Sequence, residues 1–554
     1  MNAFWGAVDA LNGFMLSVPM LIGLLGIGVL FTLWSGFCQW RSWTHGVALC
    51  AGKGIDTTHG EGALTHFQAL TAALSGTVGL GAIAGMAIAV EFGGPGAVFW
   101  MWAVGIIGMA LKTTEVTLSL LYRDVSDPAN PHGGSMYVLR KGLKEIHPKL
   151  EGLGKVLAAV FACALLLFAV TGGNMFQTWT VADTTREYLG VPTWVSGVII
   201  ATLAGIVLIG GIKRIGAVTK VLVPFKCGIY VLIGLYVILH NADKVPEVMR
   251  MIFAGAFSGT DGVGAFIGGG GLTAFMFGMR RALFSSESGL GTAPIAHSAV
   301  KTPEPVTEGV VAGLEPFIDT IFVCTVTGLV ILTTGVWNRG PTGSWDAEPA
   351  FVEVAPGSWQ PATGLLPESD GRWHKDDPVF VVVKNAAGER ARLYGTVTEV
   401  EEGSQSVTWR PMQNAGAPLL LERGIFTDYR GATLVAKSFD TVHPGLGGWL
   451  ITAAVWIFAL STLITYGYYS ETGLIYLGGE RHVQPFRWLW CVAAAVACFG
   501  FIKSSEELDS ISTVGMGFMY AINLPLMVVM GSRAMGAYQD YFRRLKAGQI
   551  ARPV

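Results

Sequence analysis

Two stretches of the chain concentrate glycine and hydroxyl side chains inside otherwise apolar sequence. The first is Ser75-Gly76-Thr77-Val78-Gly79-Leu80-Gly81-Ala82-Ile83-Ala84-Gly85, and the second is Phe275-Met276-Phe277-Gly278 running into Phe284-Ser285-Ser286-Glu287-Ser288-Gly289-Leu290-Gly291. In lipid a helix satisfies its own backbone, so glycine clusters this dense mark chain that unwinds where it lines a polar cavity. Carbonyls freed at such a break coordinate a cation, while the free N–H groups and positive dipole end of a half-helix attract a carboxylate. A zwitterion plus an alkali cation fits that chemistry. Tight helix crossing through small residues is the bland alternative. The two stretches lie five apolar runs apart, the offset expected of an inverted repeat, and that favours a site.

Ionisable residues inside apolar runs are costly and mark function or a pairing need. Lys112 and Glu115, three apart on one helical face, read as a pair that neutralises itself. Glu315 and Asp319 have no basic neighbour on their own helix, leaving Asp319 either a cation or gate contact or a helix-capping or interhelical hydrogen-bond partner. Glu287, between Ser286 and Ser288, is expected to cap unwound chain. Lys226 is expected to snorkel its ammonium to the cytoplasmic interface. Gln177 both donates and accepts, which suits a bound ligand or a neighbouring helix.

The scaffold that positions these groups is set by composition. Of 554 residues, 51% are hydrophobic and 14% charged, too apolar for a water-facing surface and suited to a lipid bilayer. Basic residues gather in short connecting segments, which excludes nucleic acid as a sensible partner. The seven cysteines form no CxxC pair and read as small buried side chains. Apolar runs fall at 14–35, 66–91, 95–122, 154–180, 193–212, 217–240, 263–284, 306–336, 447–475, 485–502 and 511–533, about eleven spans of the ~20 residues a crossing helix needs. No Lys or Arg precedes the first run, so it reads as a retained span and not a cleaved leader. Arg123, Arg140, Lys141, Lys213, Arg214, Lys220, Arg280, Arg281, Arg543 and Arg544 then fall on one side, which places the amino terminus outside and the carboxyl terminus in the cytoplasm.

The segment 338–445 breaks the pattern: it is polar, with turn signals at Gly340-Pro341, 385–388 and Glu402-Gly403. Span parity puts it outside the cytoplasm. Pro378–Lys384, 392–400 and 406–410 read as strands of a small β-rich insertion. Within it, Trp373-His374-Lys375-Asp376-Asp377 reads as an exposed turn and not a metal site. The division expected is a peripheral helix and linker at 1–60, a membrane core at 61–337, the insertion at 338–445 and the remaining core helices with a cytoplasmic tail at 446–554.

Gly76 to Gly79 and Glu91-Phe92-Gly93-Gly94-Pro95-Gly96-Ala97-Val98-Phe99-Trp100-Met101-Trp102 together resemble the signature of the alanine or glycine:cation symporter family. Further blocks follow in family order: Gly108-Met109-Ala110-Leu111-Lys112-Thr113-Thr114-Glu115-Val116, Gly173-Asn174-Met175-Phe176-Gln177, Gly210-Gly211-Ile212-Lys213-Arg214-Ile215, Val223-Pro224-Phe225, 284–297, Phe317-Ile318-Asp319-Thr320 and Cys324-Thr325. The likeness spans nearly the whole chain outside the insertion. It implies an all-α polytopic membrane protein with a five-plus-five inverted-repeat core, two discontinuous helices and one peripheral helix. It further implies a plasma-membrane symporter, not an enzyme, that imports alanine or glycine with sodium as the co-transported ion. Substrate contacts carry over to Thr77, Gly79, Gly81, Gln177, Phe275, Gly278, Thr462 and Tyr466, and a sodium site to Thr77, Val78, Ser461 and Thr462. Where the family reads Gly-Thr-Gly-Asn-Ile, this chain has Gly79-Leu80-Gly81-Ala82-Ile83, one hydroxyl and one amide fewer. Two rival readings are a proton-coupled carrier or exchanger, and a transporter-like sensor whose insertion meets an external partner.

Overall fold

Apolar runs in lipid have no water to satisfy N–H and C=O, so they fold as helices, and helices dominate this chain, described here from a computed structural model. The structure describes residues 2–15, 17–53, 60–367, 373, 375–400, 404–502 and 505–550; His374 and the expected Glu402-Gly403 turn lie outside the described residues. The helices that position the site are α1 (Val18–Trp34), α2 (His66–Thr77), α3 (Met86–Gly93), α4 (Gly96–Tyr122), α5 (Glu151–Phe168), α6 (Phe176–Leu189), α7 (Thr193–Leu208), α8 (Gly211–His240), α9 (Gly271–Ser286), α10 (Pro305–Ala312) and α11 (Cys324–Thr334). After the insertion come α12 (Ala432–Asp440), α13 (Leu446–Gly478), α14 (Val483–Val496) and α15 (Ser505–Lys546).

The chain is a multi-pass membrane protein. Among the described residues six helices are long and apolar enough to cross a bilayer, or eight if each of two bent pairs is one span. In one pair, α1 turns by 66° into Cys38–Cys50; Gly36 and Phe37 stand at that corner with φ 65° and 61°. In the other, α2 turns by 54° into Gly81–Gly93. Three expected spans are shorter than a straight crossing requires: α7 and α9 have 16 residues each and α14 has 14. For the run at 263–284 the reason is local. Gly264 and Gly268 have φ of 53° and 83°, so the chain ahead of Gly271 is an irregular loop.

Two long spans contain π-helical turns, Ala169–Met175 between α5 and α6 and Phe317–Val323 ahead of α11, and a third, Gly81–Gly85, joins the α2 break to α3. Such turns widen the helix and expose carbonyls, a feature concentrated at functional sites. Helix α2 packs against α8 and α13, α8 also packs against α13, and α9 packs against α4.

The insertion carries β1 (Gly343–Ser344), β2 (Phe351–Ala355), β3 (Ser358–Pro361), β4 (Pro378–Lys384), β5 (Arg390–Val400), β6 (Ser404–Trp409), β7 (Met412–Gln413) and β8 (Leu419–Thr427). They form a five-stranded antiparallel sheet, ordered β1-β8-β4-β5-β6, and a three-stranded one, β2-β3-β7. The expected strands are present. Alternation along β4 serves two interiors: Val379, Val381 and Val383 join the insertion's own core with Trp373 and Trp409, while Phe380 and Val382 pack with Phe426 on Ala265 of the loop before α9. Arg392 extends this docking into the helices. It pairs with Glu91 of α3 and donates to Ala265 O at 2.9 Å.

Candidate functional site

A capping box between Thr65 and Gln68 fixes the start of α2, and the helix ends at Thr77 because the glycines beyond it do not sustain the ladder. Val78 leaves helical geometry at ψ 69°, and Gly79 N donates to Thr77 O at 2.7 Å in a tight turn. The first expected break is therefore where the glycine density placed it. The second falls in the latter part of the expected stretch only: α9 runs unbroken through Phe275 and Gly278 and ends at Ser286. Glu287 follows with φ 49°, then Gly289 and Gly291 with φ of 80° and 88°, left-handed conformations that glycine adopts freely.

A cavity of about 20 Å³ separates the breaks, roughly the room of one or two waters. Gly76, Thr77, Gly79 and Gly81 line it from the first break, Phe284 and Glu287 from the second, Gln177 and Gly172 from the α5–α6 span and Thr462 and Tyr466 from α13. Six of the eight predicted substrate contacts thus converge. Phe275 and Gly278 do not, because they pack on α4: the Phe275 ring meets Trp100 edge-on at 4.9 Å, and a Cβ on Gly278 would stand 2.5 Å from Ala97 O. Those glycine and aromatic residues serve the helix crossing, the alternative left open by the sequence.

The cavity's polar atoms are unevenly satisfied. Glu287 accepts from Tyr466 Oη and, at 2.6 Å, from Thr292 Oγ1, side-chain bonds that tie the second unwound segment to α13. Gln177 Nε2 donates to Gly172 O at 3.1 Å. Among the described residues, Gln177 Oε1 and Thr77 Oγ1 are buried with no hydrogen-bond partner. A cleft of about 190 Å³ between Asp124, His132, Arg140 and Glu480 shares no residue with this cavity.

Beside the cavity two of the four residues predicted to hold the cation, Val78 and Ser461, are brought together around an unexpected group. Lys226 does not reach the cytoplasmic interface: it lies midway along α8 and is 2% exposed. Its Nζ donates to Val78 O at 2.6 Å and to Ser461 Oγ. Six residues beyond Lys220, about 9 Å along the axis, the side chain ends between α2 and α13. Thr462 Oγ1 turns instead to backbone, donating to Phe458 O at 3.1 Å.

Further acids hold the second break. Glu115 Oε2 accepts from Gly291 N and from Asn523 Nδ2, each at 3.1 Å, and Asn523 Nδ2 also donates to Gly289 O at 2.8 Å. Lys112 lies 3.9 Å from Glu115 and 3.3 Å from Glu315, so the expected pair is one edge of a larger cluster. His297 bridges Glu308 at 2.5 Å and Glu315 at 2.7 Å, and His66 meets the other oxygen of Glu308. Asp319 accepts from Ser285 Oγ at 2.5 Å, an interhelical hydrogen bond. His66, His297 and Glu308 were missed as a network. Glu308 lies inside the run at 306–336, where the cost of an intramembrane carboxylate would have flagged it.

A model described as the sodium:alanine symporter family matches residues 1–362 and 415–553. The unmatched segment, 363–414, falls within the insertion. The chain is 34% identical over 521 residues to the sodium/alanine symporter AgcS of Methanococcus maripaludis, covering 94% of this chain and 93% of that protein. It is 30% identical over 543 residues to the putative sodium/proton-dependent alanine carrier protein YrbD of Bacillus subtilis, covering 98% and 93%. It is 28% identical over 490 residues to a sodium/proton-dependent alanine carrier protein of Bacillus sp. (strain PS3), covering 88% and 90%.

Proposed function

We propose, from the premise that this chain belongs to the sodium:alanine symporter family, that it is a secondary active symporter importing a small neutral amino acid of the alanine or glycine class with a cation. The observation that carries the reading is the small cavity between two unwound segments, where Gln177 Oε1 and Thr77 Oγ1 are buried without partners among the described residues. Such atoms cost about 1–3 kcal/mol each unless something satisfies them, and an amino acid's ammonium supplies the donors. The Phe284 and Tyr466 rings among the walls limit the side chain that fits.

In this reading the two breaks belong to corresponding helices of an inverted repeat, and rocking of one set of helices against the other exposes the cavity to each side in turn. The amino terminus and insertion face outward from the plasma membrane, and the basic connections face the cytoplasm. Sodium is the cation that family membership favours. A proton is the second reading, favoured by the names of two relatives and by the lysine beside the cavity. Proteoliposomes loaded to impose a sodium or a proton gradient test both. Accumulation of labelled alanine or glycine above equilibrium is expected, with larger amino acids excluded. Failure of both gradients to drive accumulation refutes the symporter reading.

A further inference from the structure

An alkali cation between α2 and α13 needs hard oxygens converging on one point, and Val78 O and Ser461 Oγ both turn toward the Lys226 ammonium. We infer that Lys226 is the resident cation of this position: its ammonium takes the place of a transported ion between α2 and α13, so no sodium binds there in this chain. The inference rests on the carrier reading above and specifies which cation its site holds.

The ammonium carries the same unit charge as sodium and has three donors to place. Two end on the oxygens of Val78 and Ser461. The Phe458 ring lies 4.8 Å from Nζ, so its face answers the remaining charge, a cation–π contact strengthened where water is excluded. Ser461 Oγ donates its own hydrogen bond to Phe458 O at 2.7 Å, which leaves a lone pair turned to the lysine. Cys227 on the same helix and Asp319 are the titratable groups within electrostatic reach. A second cation using the same oxygens would stand within a few ångströms of Nζ, where like charges repel strongly in a medium of low dielectric. Occupation is therefore exclusive. Lysine is tethered and cannot dissociate, so it braces the unwound end of α2 against α13 without being carried across.

Melting the purified full-length protein in sodium chloride and in choline chloride, with no amino acid, reads this position. Lys226→Met, which keeps the length and removes the charge, is expected to gain a saturable, sodium-specific rise in Tm over the wild type. Adding Ser461→Ala to that variant is expected to remove the gain, and Lys226→Gln provides a second neutral side chain if the first folds poorly. By linkage, alanine binding to Lys226→Met becomes about tenfold tighter in sodium than in choline. A measurement without variants uses thallium(I) as a heavy surrogate for sodium in wild-type crystals, where no density is expected on Val78 O and Ser461 Oγ. Thallium bound to those oxygens, no gain in either lysine variant, or a gain indifferent to Ser461→Ala overturns the inference. Absence of alanine binding in both salts refutes the carrier reading instead, and the melting and thallium results still decide the lysine.

Discussion

Removing Arg392 tests how the insertion is held to the helices. Its guanidinium pairs with Glu91 and donates twice to Ala265 O, at 2.9 and 3.3 Å, and stacks over Phe380 at 4.3 Å. The side chains of Arg392 and Glu91 are 3% and 7% exposed, so neither charge has water to fall back on. Truncating one partner of such a pair leaves the other buried and uncompensated, at about 3–5 kcal/mol, whereas replacing both with apolar groups is near neutral. Arg392→Met is therefore expected to destabilise the docked insertion by about 3–5 kcal/mol, and Glu91→Met with Arg392→Met to regain part of that loss, because the buried Asp428, 3.7 Å from Arg392, keeps Arg430 but loses this partner. The assay is denaturant-dependent melting in detergent, followed by fluorescence of the buried Trp373 and Trp409, with limited proteolysis between β4 and β8 as a second readout. A single variant that loses less than about 1 kcal/mol, or a double variant as unstable as the sum of the singles, refutes the reasoning.

Gln177→Ala removes an unsatisfied cavity oxygen and is expected to weaken alanine binding about tenfold, roughly the worth of one buried hydrogen bond, measured by equilibrium binding with Tm held as control. Gly278→Val drives a Cβ to 2.5 Å from Ala97 O and is expected to cost about 1–3 kcal/mol of stability while leaving alanine affinity in the surviving protein unchanged. Gly81→Ala, whose Cβ meets the Phe284 ring at 3.4 Å, should do the reverse, lowering affinity with little change in melting. His297→Leu strips a partner from both Glu308 and Glu315; a loss of about 3–5 kcal/mol is expected by thermal melting, and a neutral result would mean the cluster is not held by charge.

Features set by neighbours in sequence are legible along the chain itself. Glycine at 76, 79 and 81 breaks α2 because the loss of helical backbone is local, and the alternation in Pro378–Lys384 dictates a strand for the same reason. The first-break residues Thr77, Gly79 and Gly81 and their distant partners Gln177, Thr462 and Tyr466 were reached through the family resemblance, and the cavity gathers them. What pattern alone misplaced was the role of residues whose partners are far away in the chain. Phe275 and Gly278 look like a break, yet the α4 surface makes them a packing seam. Lys226 follows basic Lys220 in sequence, but only the packing of α2 and α13 on α8 shows its ammonium meeting Ser461, 235 residues away. Arg392 and Glu91 are 301 residues apart, and no periodicity links them. Backbone hydrogen bonding and side-chain period are short-range and can be read along the chain; the pairing of a buried charge is settled by which helices the bilayer forces side by side.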